Sequence, residues 1–105
     1  MKAAKGATAE LAIEELARVA ETLKVLAHPY RLKIVELLQA RQEAPVHELM
    51  DRLGLPQATV SQHLNQMRRA GLVRAARRGK EVWYAIADPR SLTILDCIRK
   101  KRSLK

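Results

Sequence analysis

The chain has 105 residues, 48% of them apolar, one cysteine, one Trp, two Tyr, no Phe and a formal net charge of +9. That length suits one domain with a small core built mostly of Leu, Ile, Val and Ala, and the lone cysteine excludes an internal disulfide framework or a zinc site of several thiolates from one chain. No apolar run approaches the about 20 residues that span a bilayer, and Met1-Lys2-Ala3-Ala4-Lys5-Gly6 lacks the apolar stretch of a secretory leader, so a soluble cytoplasmic protein with no membrane partner is expected.

Residues 1–8 are small and basic, with no apolar rhythm, and read as a flexible tail. From Ala9 to Ala27 the apolar positions 12, 13, 16, 19, 20, 23, 26 and 27 keep helical spacing. Thr8 suits the N-cap, with Glu10, Glu14 and Glu15 near the positive helix end. His28-Pro29 ends that helix and starts another to about Ala40, with Tyr30, Ile34, Leu37 and Leu38 inward. Gln42-Glu43-Ala44-Pro45 reads as a break.

Val46 to Leu53 is a short helix with Leu49, Met50 and Leu53 on one face, and Gly54 suits the left-handed residue after its end. Gln57 to Ala70 is helical again, with Val60, Leu64 and Met67 inward. Its other face carries Gln57, Thr59, Ser61, Gln62, Asn65, Gln66 and Arg69. Helix, glycine turn, helix is the helix-turn-helix arrangement, and short hydrogen-bonding side chains on the second helix suit the base edges of a major groove. From Leu72 the period changes to two. Val82, Tyr84 and Ile86 alternate with Glu81, Trp83 and Ala85, and Arg77-Arg78-Gly79-Lys80 joins two strands into a hairpin with a basic tip. Asp88-Pro89 then caps and starts a last helix to about Arg102, with Leu92, Leu95 and Ile98 as its apolar positions, and residues 103–105 form a basic tail.

Charge divides the chain. Residues 1–51 hold 7 basic and 8 acidic residues, whereas residues 52–105 hold 13 basic and 3 acidic. A near-neutral half joined to a basic half implies a polyanion-binding face in the second. The competing reading is a merely solvated surface. A helix-turn-helix followed at once by a basic β-hairpin is a winged helix-turn-helix, so the fold class is mainly α with a small β-hairpin wing, over residues 9–102. Gln57, Thr59, Ser61 and Gln62 are the candidate base readers, although Thr59 and Ser61 suit phosphate equally. Arg77, Arg78 and Lys80 are candidates for phosphate or the minor groove, with Arg68, Arg69 and Arg74 as further backbone contacts. His63 suits a structural or phosphate role, and Arg31 suits either phosphate or a nearby acid. Trp83 and Tyr84 read as packing residues.

The segment from Leu26 to Val35, with its His28-Pro29-Tyr30-Arg31-Leu32-Lys33-Ile34 core, resembles the opening of ArsR/SmtB-type repressors. Ala58-Thr59-Val60-Ser61-Gln62-His63-Leu64 is similar to their recognition-helix segment. Arg69-Ala70-Gly71-Leu72-Val73 and Arg78-Gly79-Lys80-Glu81-Val82-Trp83-Tyr84 are similar to their helix end and wing. The likeness spans roughly residues 10–100. It implies a homodimer through the first and last helices, bound to an imperfect palindrome in a double-stranded operator and repressing transcription. The first helix agrees: Leu11, Ile13, Leu16, Val19, Leu23, Val25 and Leu26 surround more of it than one small domain covers.

Many family members sense metal. One family site uses cysteines before the turn, where this chain has Pro45-Val46-His47-Glu48; the other uses both ends of the last helix, where it has Asp88, Arg90, Lys101 and Leu104. Of those ligand positions Asp88 alone matches, so no metal and no cofactor are expected, and an effector is not legible. Arg99 and Lys100 beside Cys97 make a redox role for that thiol the alternative to a small apolar residue in the helix, and a repressor switched by oxidation of Cys97 or by a small molecule is the alternative to one that responds to no ligand. A winged-helix protein-interaction module without DNA binding is the other alternative. An enzyme is not expected, since the chain has no glycine-rich phosphate loop and no paired catalytic carboxylates.

Overall fold

The computed structural model describes residues 9–103. The expected tail over 1–8, its Thr8 cap and the end of the basic tail lie outside the described residues. Helix α1 spans Ile13–Leu26, α2 Pro29–Arg41, α3 Val46–Leu53, α4 Gln57–Arg69 and α5 Arg90–Ser103. Strands β1 (Glu43–Pro45), β2 (Val73–Arg78) and β3 (Glu81–Ile86) form one antiparallel sheet in the order β1-β3-β2.

The helix boundaries follow local chemistry. The Glu15 carboxylate accepts the Ala12 N–H at 3.1 Å, holding the entry to α1 about a turn later than the apolar rhythm suggests. His28 is extended and its Nδ1 accepts the Tyr30 N–H at 3.2 Å, so it caps α2 while Pro29 supplies the first helical position. Gly54 ends α3 at φ +69°, in the left-handed region, which opens the sharp turn into α4. Asp88 accepts the Arg90 N–H at 3.0 Å, and α5 starts at Arg90 rather than at Pro89.

The core gathers Ile34, Val35 and Leu38 of α2, Leu49 of α3, and Val60, Leu64 and Met67 of α4, closed by Leu72 and Tyr84. Burying these aliphatic side chains is the main favourable term in folding. Two expectations fail here. The Gln42–Pro45 break contains β1, whose Glu43, Ala44 and Pro45 pair with Ala85, Tyr84 and Trp83. Pro45 sits at the end of an edge strand, where a missing N–H does no harm. Tyr30 is not inward but 41% exposed, because the first turn of α2 projects beyond the core that Ile34 enters one turn later. Helix α1 has only Leu26 buried; Leu11, Ile13, Leu16, Val19 and Leu23 around it are exposed, as is Ile98 on α5.

Candidate nucleic-acid interface

Helix α4 lies across the core with its inner stripe sunk. Val60, Leu64 and Met67 are fully buried, and this fixes the rotation of the helix. Gln57, Gln62, Asn65, Gln66, Arg68 and Arg69 are consequently exposed, with Thr59 and Ser61 half-buried at the margin. Pro56 precedes the first turn and no side chain caps it. The first N–H groups of a helix have no intrahelical partner and carry partial positive charge, so this end of α4 suits an anion.

The wing divides its cations by face. Successive side chains of a strand point to opposite sides, and the β2–β3 register pairs Arg77 with Val82 and Arg78 with Glu81. Arg77 therefore shares a face with Val82 and Tyr84, the core side, toward α3 and α4. A groove of ≈ 340 Å³ opens there, in which Arg77 and Lys80 of the wing meet Gln57 of α4 and His47 of α3. Glu81 lines it too, its carboxylate 2.6 Å from His47 Nδ1.

Arg74 and Arg78 share the other face with Trp83. Arg78 donates to both oxygens of Glu43, at 2.6 and 2.8 Å, and its guanidinium carbon lies 4.8 Å from the Trp83 ring centre. Arg74 donates to the Ile86 carbonyl at 2.8 Å. The hydrogen bond from Arg78 holds Glu43 below the usual carboxylate range. Thus the structure brings Arg77 and Lys80 to the α4 side and sets Arg74 and Arg78 on the opposite face.

His63 also departs from the exposed set. It is 9% exposed, and its Nδ1 accepts from Arg31 Nε at 3.0 Å. Its position three residues after Val60 and four before Met67 puts it on the inner stripe of α4, a signal already present in the spacing. Desolvation, then the neighbouring His28 and Arg31, push its pKa down. Among the described residues Arg31 pairs with no acid: its second donor, Nη1, goes to the Val25 carbonyl at 3.0 Å. Asn65 and Gln66, which the spacing already puts on the outer face, are exposed there beside the candidate set. Cys97 is exposed on α5. Among the described residues no three of His, Cys, Asp and Glu stand together as a metal site would need, and no helix is long and apolar enough to cross a membrane.

A helix-turn-helix domain model matches residues 26–75, from the end of α1 to the start of the wing. The transcriptional repressor PagR of Bacillus anthracis is 48% identical over 71 residues, 68% of this chain and 71% of its own length. The chain belongs to the SmtB/ArsR-type winged helix-turn-helix repressor family. The transcriptional repressor SmtB of Mycobacterium tuberculosis is 47% identical over 75 residues, which are 71% of this chain and 55% of that relative. The solved structure of PagR superposes with a TM-score of 0.74 at 39% identity, covering 83% of this chain and 99% of its own. HlyU from Vibrio cholerae gives a TM-score of 0.74 at 31% identity, covering 82% and 92%. This family consists of transcriptional regulators and not of enzymes, and the five helices with a small wing agree with its fold.

Proposed function

We propose that this chain is a homodimeric, sequence-specific DNA-binding transcriptional regulator, a repressor that binds an imperfect palindrome and lacks the metal sites usual in its family. The observation that carries the reading is the continuity of two surfaces. The uncapped start and polar face of α4 (exposed Gln57 and Gln62, half-buried Thr59 and Ser61) meet the Arg77–Lys80 side of the wing across one groove, which Gln57 lines. Amide and hydroxyl groups on a helix suit base edges, and the flanking cations suit phosphates. Arg68 and Arg69, exposed in the last turn of α4, extend the backbone-contact role.

Dimerisation is supported by the exposed apolar face of α1 (Ile13, Leu16, Val19, Leu23) together with Ile98 of α5. A two-fold partner would cover these faces and set two copies of α4 on successive turns of a duplex. The absence of metal sensing is supported by Asp88, whose carboxylate is taken by the Arg90 guanidinium at 2.7 Å.

Fluorescence anisotropy with the DNA upstream of the chain's own gene tests the reading. The titration uses excess random competitor, two salt concentrations, and reduced, oxidised and zinc-treated samples. Binding that survives competitor and weakens steeply with salt is expected. No binding even at low salt overturns the proposal in favour of a protein-interaction module. Loss on oxidation alone assigns a redox role to Cys97, and loss with zinc alone makes the chain a metal sensor.

A further inference from the structure

Arg31 lies where three elements meet. Its Nη1 donates to the carbonyl of Val25, in the last turn of α1, at 3.0 Å. Its Nε donates to Nδ1 of His63, in the middle of α4, at 3.0 Å. Arg31 itself is held in the first turn of α2, whose cap is His28. One guanidinium thus ties the end of α1, which carries the exposed apolar face, to α4, which carries the exposed polar face.

The tie depends on a proton. A neutral imidazole has one nitrogen that accepts and one that donates, and both donate once it is protonated. His63 accepts from Arg31 through Nδ1, so the bond exists only while Nδ1 is bare. The His28 ring stands 4.6 Å from the His63 ring, tilted 60°, and its own Nδ1 accepts the Tyr30 N–H. Desolvation acts first against the protonated form of His63, and the neighbouring His28 ring and the Arg31 guanidinium act in the same direction. Tyr30, from the same turn of α2, faces it at 6.3 Å between ring centres. A proton on Nδ1 would set two donors and two positive charges against each other at 3.0 Å.

We infer that Arg31 is a positioning residue for DNA reading, which sets α4 relative to α1 through a neutral His63, and that protonation of His63 releases the tie and weakens specific binding. The inference rests on the DNA-reading proposal above. If α1 joins two copies, the separation of the two α4 helices depends on the angle between α1 and α4 in each, and this contact helps fix that angle. Its sign is distinctive. Added positive charge strengthens the electrostatic part of DNA binding, so a chain acting through charge alone binds more tightly in acid, whereas this one binds less tightly.

The experiment uses the full chain and a duplex selected by it from a random library at pH 7.5. Affinity is measured by anisotropy from pH 7.5 to 5.5, and the histidine nitrogens and the Arg31 Nε–H are followed by NMR over the same range. Wild type is expected to show a bare Nδ1 on His63 and an exchange-protected Arg31 Nε–H at pH 7.5. Both signatures should vanish together on acidification, with a fall in affinity on the order of tenfold, the scale of one hydrogen bond to a charged group. His63→Gln retains an acceptor that cannot titrate, and it should bind at pH 7.5 and lose the acid response. Arg31→Gln should bind weakly at every pH while keeping its fold by circular dichroism. Failure to select any duplex overturns the DNA-reading proposal and this inference with it. Selected binding that holds or tightens in acid overturns the inference alone. So does an Nδ1 already protonated at pH 7.5, or an acid response that survives His63→Gln.

Discussion

Arg78 reaches across the central strand of the sheet and grips Glu43, donating to both carboxylate oxygens at 2.6 and 2.8 Å while its guanidinium lies against Trp83. The pair joins β1, at the foot of α3, to the end of β2, at the tip of the wing. It therefore braces the wing against the helix-turn-helix, and it withdraws one of the three tip cations from the groove side.

The first prediction separates the wing's cations. Arg77→Ala and Lys80→Ala should each weaken binding to all sequences alike, and each should lower the slope of log affinity against log salt by about 0.9, the value of one phosphate contact. Arg78→Ala should leave the slope nearly unchanged. It should instead lower the melting temperature slightly, by the same amount as Glu43→Gln, with no further loss in the double variant. The pairing also predicts a pH window. Because Arg78 lowers the pKa of Glu43 below 4.5, the brace is complete above that value and is lost as pH falls through the lower native one. Salt-dependent anisotropy and thermal melts of the four variants check these points.

The second prediction concerns sequence reading. Gln62 is exposed on α4, one turn beyond the half-buried Thr59. Gln62→Ala should reduce the preference for the selected site by about 1–3 kcal/mol at one base position, as expected for the loss of a bidentate contact. Its salt slope should match wild type, since no phosphate contact is removed. Repeating the site selection with the variant shows whether a single position relaxes. Uniform weakening across all positions would instead assign Gln62 to the backbone.

Much of this arrangement is legible in the sequence because it depends on local spacing. The 3.6-residue stripe Val60, Leu64, Met67 fixes which side of α4 is exposed, and the period-two run Val82, Tyr84, Ile86 fixes the wing. His28-Pro29 and Gly54 mark their turns through backbone rules that need no tertiary contact. What stays hidden is long-range. Strand β1 has three residues, too few for a period, and forms only because β3 offers it an edge. Arg78 meets Glu43 across 35 positions and Arg31 meets His63 across 32, and nothing in either segment names its partner. The division of the wing's cations lies between these cases. It follows from strand alternation once the register of Arg77 with Val82 is known, but that register is set by the turn at Gly79 and not by the charges.

The third prediction tests the exposed face of α1. Leu16 and Leu23 are 43% and 47% exposed, seven residues apart on one side of the helix. Such a face on a small domain favours association. Leu16→Glu should convert the chain to a monomer at micromolar concentration, seen as a halved mass in sedimentation, without changing helix content. Site-specific affinity should fall steeply, because a single α4 then reads half a site, while binding to random duplex should change little. A dimer that persists in Leu16→Glu would move the interface away from α1.

The last prediction concerns the turn that aims α4. Gly54 has φ +69° and ψ 32°, and a Cβ placed there would meet no atom within 4 Å. Sterics with the rest of the protein are therefore no obstacle, and the cost of a side chain is that of the left-handed backbone alone, about 1–2 kcal/mol for an L-residue. Gly54→Ala should lose that much stability in chemical denaturation at fixed protein concentration, and Gly54→Asn less, since Asn tolerates this conformation better. Leu64→Ala provides the contrast: it empties a fully buried site beneath α4 and should cost about 2–5 kcal/mol. If Gly54→Ala proves as damaging as Leu64→Ala, the turn carries more than a backbone preference, and its fit between α3 and α4 must be part of what holds the reading helix in place.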